Sequence, residues 1–125
     1  MPTLETLWPA AALVCLTIHS SSVLAADNFK QLNASQIKAA IIGKSVTDDA
    51  HWSDHFYADG TLISLDLGET KRGAWALRGS ELCLTRNDKK NRTETECSEV
   101  WMAGERIEYQ RFGVTAAEGV IKPQW

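Results

Sequence analysis

His51-Trp52-Ser53-Asp54-His55 is the densest group of reactive side chains in the chain. On a helix, His51 and His55 would share a face and grip one metal ion, and with Asp54 they would make the set of a small metal-dependent hydrolase. The residue types alternate as in a β-strand instead, where the two imidazoles point the same way but lie about 13 Å apart, too far to share an ion. Asp48 and Asp49 complete a metal site only by folding back onto the strand. The alternation turns Trp52 and Phe56 inward and leaves His51, Ser53, His55 and Tyr57 as an outward row suited to recognition rather than turnover.

Other chemistry-bearing patterns fail on position. Gly43-Lys44-Ser45 resembles the end of a phosphate-binding loop, but the first glycine of that pattern falls on Lys38, and the triplet closes a helix instead of opening one. The chain has no Gly-x-Ser-x-Gly elbow. Glu94, Glu96 and Glu99 read as the solvated face of a strand. Trp101 stands between Val100 and Met102, so if those two face inward it is an exposed contact anchor. No catalytic residue, metal ligand or cofactor is assigned, and the chain reads as a non-enzyme.

Cys83 and Cys97 flank a polar turn centred on Lys90. In a hairpin about that centre they stand directly opposite, with Leu84 facing Glu96 and Thr85 facing Thr95, which suits a disulfide. No Cys-x-x-Cys spacing points to a redox pair. Closing a loop of 13 intervening residues is worth roughly 3 kcal/mol in the chain-entropy picture.

An oxidised pair fits an exported chain, and residues 1–25 read as a secretory signal. An apolar stretch runs from Leu7 to Ile18, and Val23-Leu24-Ala25 offers small residues for cleavage, although Glu5 stands where positive charge is usual. The stretch is about half of the roughly 20 residues needed to span a bilayer, and Cys15 within it is a small hydrophobe in a discarded segment. The expected location is periplasmic or secreted, with no membrane anchor. Residues 26–125 are enough for a single small β-domain. With Glu5 set aside, 13 basic residues stand against 15 acidic ones. A near-neutral domain has no electrostatic motive to seek nucleic acid or an anionic membrane. Lys89-Lys90-Asn91-Arg92, the only basic cluster, falls at a hairpin turn.

The elements that must position these groups follow from local signals. Asn33 and Gln36 form a capping box, Leu32 and Ile37 a hydrophobic staple, and Gly43 a stop, which predicts a helix from Ala34 to about Ile42. The period then becomes two. Strands are expected over His51 to Tyr57, Thr61 to Leu67, Lys71 to Leu77, Glu81 to Thr85, Arg92 to Met102, Arg106 to Phe112, and Gly119 to Lys122. The result is a mainly β chain: an antiparallel meander of six to seven strands, either a curved sheet or a small barrel, with one short N-terminal helix.

The series Gly43-Lys44, His51-Trp52, Phe56-Tyr57-Ala58-Asp59-Gly60-Thr61, Gly73-Ala74-Trp75 and Gly79, with Leu82-Cys83 and Cys97, resembles small exported proteobacterial proteins of unassigned function grouped as domain of unknown function 995. Gly73-Ala74-Trp75 carries a weaker likeness to lipocalin-type barrels. The resemblance implies export and fold, not an activity. The function expected is a non-catalytic binding or inhibitor-like module acting as a monomer on an unknown protein or small ligand of the cell envelope. A carrier of a small apolar ligand requires a barrel interior above ~300 Å³.

Overall fold

The computed structural model describes residues 28–87 and 90–124. The expected signal segment, its expected cleavage point and Cys15 lie outside the described residues. In chain order the elements are β1 (Lys30–Gln31), α1 (Ala34–Ile41), β2 (Lys44–Thr47), β3 (Trp52–Phe56), β4 (Thr61–Asp66), β5 (Glu69–Arg78), β6 (Glu81–Asn87), β7 (Thr93–Ala103), β8 (Arg106–Arg111) and β9 (Val114–Pro123). β3 to β9 pair antiparallel in succession, β2 bridges β3 and β9, and β7 also pairs with β8. That last pairing closes an eight-stranded barrel, so the choice between open sheet and barrel falls to the barrel, which leaves no long edge exposed. β1 adds two residues beside Trp101 and Met102 of β7.

The helix is capped as the sequence requires: the Asn33 side chain accepts from the Gln36 backbone N–H, and the Gln36 side chain accepts from the Asn33 N–H, both at 2.9 Å. Eight residues are too few to hold a helix in water. Ile37 and Ile41 are both fully buried and join Phe56, Leu62, Trp75, Leu82, Val100 and Ile107 in one core. Phe56 and Trp75 meet edge to face at 6.2 Å between ring centroids, and the Trp75 indole N–H donates to the Tyr57 carbonyl at 2.8 Å. The helix therefore seals the barrel end that carries the turns at Gly60, Gly79 and Gly104.

β1 and β2 escape the sequence reading, and the last strand starts earlier than expected. β2 is only four residues long, and the segment after Gly43 carries too few apolar positions to announce it. β9 begins at Val114, five residues before the expected strand, because Phe112 and Gly113 make a tight turn with φ of 53° and 74°. Leu67 and Gly68 do the same between β4 and β5, at 48° and 84°. This turn falls one residue earlier than Gly68-Glu69-Thr70.

Gly73 has a reason internal to the barrel. A Cβ there would stand 2.0 Å from the Thr85 carbonyl oxygen, so the bare backbone lets β5 press against β6. The staple forms where the hairpin places it: Cys83 and Cys97 are register partners with Cα atoms 4.0 Å apart, and they are disulfide-bonded. Leu84 faces Glu96 and Thr85 faces Thr95.

Candidate functional site

The apolar core fills only the half of the barrel next to the helix. Towards the other end, inward rows change character along their own strands. Leu82 and Leu84 are followed by Arg86, Ile107 and Tyr109 by Arg111, Leu62 by Ser64, and Val100 is preceded by Ser98 and Glu96. These polar positions, with Asp54 from β3, line a cavity of about 330 Å³. Leu65, Asp66, Lys71 and Arg111 place its mouth at the end that carries the Leu67-Gly68 and Phe112-Gly113 turns.

A charged network crosses the cavity. Arg86 Nη2 donates to Asp54 Oδ2 at 2.5 Å, Arg86 Nε to Ser64 Oγ at 2.9 Å, and Ser64 Oγ to Asp54 Oδ1 at 2.6 Å. Three strands are thereby tied across the interior, and the carboxylate has a partner for each oxygen, as a buried charge requires. Two further ion pairs stand nearer the mouth, Arg111 to Glu96 at 3.4 Å and Lys71 to Asp66 at 3.7 Å.

Two groups on this wall are left over. The Tyr109 hydroxyl and the Arg111 Nε are buried without a hydrogen-bond partner among the described residues. Burial pushes the Tyr109 phenol well above its ordinary pKa; Asp54 adds to the rise and Arg86 opposes it. The phenol is thus a neutral donor at any physiological pH. Native interiors seldom leave such groups unsatisfied, because each costs about 1–3 kcal/mol.

The outward row read from the sequence is only partly present. β3 runs from Trp52 to Phe56, so His51 and Tyr57 flank it instead of belonging to it. His51 is exposed, and its Nδ1 stands 2.8 Å from Asp48 Oδ2. Tyr57 is exposed and Ser53 half-buried. His55 is only 1 % exposed, which corrects the open row. β3 is an interior strand of the sheet, with Ser45 and Ile63 beside His55 at the same level, and Ser45 is buried as well. The Ser53 hydroxyl lies 3.0 Å from His55 Nε2, and desolvation lowers the His55 pKa, against a smaller opposing pull from Asp54. Trp101 is half-buried, with Val100 and Met102 packed against the core as supposed, and donates from Nε1 to Glu99 at 3.1 Å.

His51, Asp54 and His55 do not converge. Asp54 is held inside the barrel by Arg86, His55 is on the opposite side of its strand, and His51 is engaged by Asp48. Asp48 does fold back, as a turn lock: its Oδ1 accepts from the backbone N–H groups of Ala50, His51 and Trp52 at 2.7–3.0 Å. These bonds, that to His51 first, hold its carboxyl far below the usual range. No group of three His, Cys, Asp or Glu side chains suited to a metal occurs among the described residues.

Glu96 also departs from the solvated face assigned to it, since it stands half-buried on the cavity wall while Glu99 points to the other side of β7. Arg86, Ser64, Tyr109 and Arg111 carried no motif. Their one signal was the break from apolar to polar along an inward row.

The chain matches no family model, no curated protein and no solved structure.

Proposed function

We propose that this protein is a non-catalytic, exported binding module that takes a small amphiphilic molecule into the open half of its barrel. The observation that carries the reading is the cavity itself. A domain of this size gains stability by filling its interior, yet about 330 Å³ stays open, walled by Leu65, Leu82 and Leu84 together with paired charges and a tyrosine hydroxyl with no partner. Concave sites of about that volume, in which polar groups stand against apolar surface, are the usual form of small-molecule sites. The disulfide suits an oxidising compartment, and no helix among the described residues is long and apolar enough to cross a membrane. Binding through the surface row has less support, because the fold buries one of its two histidines.

The test is occupancy by an uncharged fluorophore. N-phenyl-1-naphthylamine should gain fluorescence in the presence of the protein and saturate at one equivalent. Ala117→Trp, which projects an indole into the cavity, should abolish the signal while leaving the melting temperature close to that of the parent. Equal signal from both proteins would refute an internal site.

A further inference from the structure

Resting on that cavity reading, we propose that the ligand is an uncharged compound with a carbonyl oxygen, such as an amide, ester or lactone on a short apolar chain, and that Tyr109 Oη donates to that oxygen.

Charge on the wall argues against an ionic ligand. Three cations face the cavity, and each already has a carboxylate: Arg86 has Asp54, Arg111 has Glu96 and Lys71 has Asp66. The site is balanced before anything enters it. An anionic ligand would bring an uncompensated charge beside Glu96, and a cationic one would set itself against Arg111 and Arg86. Either would be desolvated with no free counter-charge waiting, which is among the costliest events in recognition.

What the wall does lack is an acceptor. Tyr109 is 7 % exposed, its phenol stays protonated, and its hydroxyl is unpartnered. Arg111 uses Nη2 on Glu96 and leaves Nε without a partner. Both residues lie on β8 two positions apart, hence on one face and about 7 Å apart along the strand. A buried, unpartnered phenol on a wall whose charges are already balanced is matched by an uncharged acceptor, which a carbonyl oxygen supplies. Leu82 and Leu84, which line the same cavity from β6, offer apolar surface to the remainder of the molecule. At ~30 Å³ per water the cavity has room for roughly ten waters.

The experiment uses three eight-carbon probes that differ only at the head: octanamide, octanoate and octylammonium, titrated calorimetrically into the mature protein at pH 7. Octanamide should bind at least about tenfold more tightly than either ion. Tyr109→Phe should weaken octanamide by about tenfold, the loss of one hydrogen bond, and leave octylammonium unchanged. This variant keeps the ring and removes only an unsatisfied group, so its melting temperature should equal or exceed the parent's. Octanoate binding as well as octanamide would overturn the charge argument, and octanamide binding unaltered in Tyr109→Phe would overturn the donor assignment. If none of the three binds while N-phenyl-1-naphthylamine does, the inference fails and the cavity reading stands. If that fluorophore fails too, both fall.

Discussion

The Asp54–Arg86 pair allows the energetics of the barrel interior to be tested quantitatively. The Asp54 side chain is 5 % exposed and that of Arg86 is 27 % exposed, so the two ends of one bond do not have equal access to water. Arg86→Met leaves a carboxylate almost wholly desolvated, with only the Ser64 hydroxyl donating to it. Breaking a buried pair in this way costs about 3–5 kcal/mol, a large share of the 5–15 kcal/mol typical of a whole domain. Asp54→Leu strands a guanidinium that can turn to solvent through the mouth, so its cost should fall below that range, at about 2 kcal/mol. The double variant Asp54→Leu/Arg86→Met replaces both charges with apolar groups and should be within about 1 kcal/mol of the parent. Urea unfolding of all four proteins at pH 7 gives the cycle directly. Two single variants that each cost less than about 1 kcal/mol would mean that water already solvates the pair. The costly desolvation on which the ligand argument relies would then be absent.

Leu67 and Phe112 occupy the left-handed first position of two-residue turns, where Asn is favoured, and they are 77 % and 102 % exposed. Leu67→Asn and Phe112→Asn should each raise stability by about 0.5–1 kcal/mol in urea melts; a loss on either change would show that the apolar tip makes contacts worth more than its strain. Cys83→Ser/Cys97→Ser should cost about 3 kcal/mol and retain the strand order by amide exchange, and the denatured parent should yield no reactive thiol at either position. Stability should also fall as the pH drops below 6.5, the ordinary value of the imidazole. Burial holds His55 below that value in the folded state, so between the two the unfolded chain takes up a proton that the folded chain refuses. The contribution is fully present above 6.5 and lost towards the lower folded value. His55→Gln should flatten this limb of the pH profile, and an unchanged slope would refute the assignment.

Much of the fold was legible because its signals are local. Asn33 and Gln36 specify a cap whatever the helix later rests on, and Cys83 and Cys97 find each other through a symmetry of position about Lys90. β2 was not legible for the converse reason. Its four residues include Lys44, Ser45 and Thr47, and they are strand because β3 and β9 flank them, not because of their own preference. Phe112-Gly113 was hidden because its first residue is of a type that turns disfavour.

The site was missed for a subtler reason. The search for chemistry looked for reactive types close together in sequence, and His51 to His55 met that criterion. A barrel assembles its interior from one residue in every second position on each of several strands, so Asp54, Ser64, Arg86 and Tyr109 come together from four strands and form no local pattern. Closure settles which face is inside, and it turns Asp54 away from the histidines on either side of it. The visible trace is a change of polarity along the inward rows: Arg86 after Leu84, Arg111 after Tyr109, Ser98 before Val100. A single such break reads as a strand reaching solvent. Three on strands that neighbour one another, all towards the same end of the barrel, mean that the interior itself turns polar there, at a cost in stability.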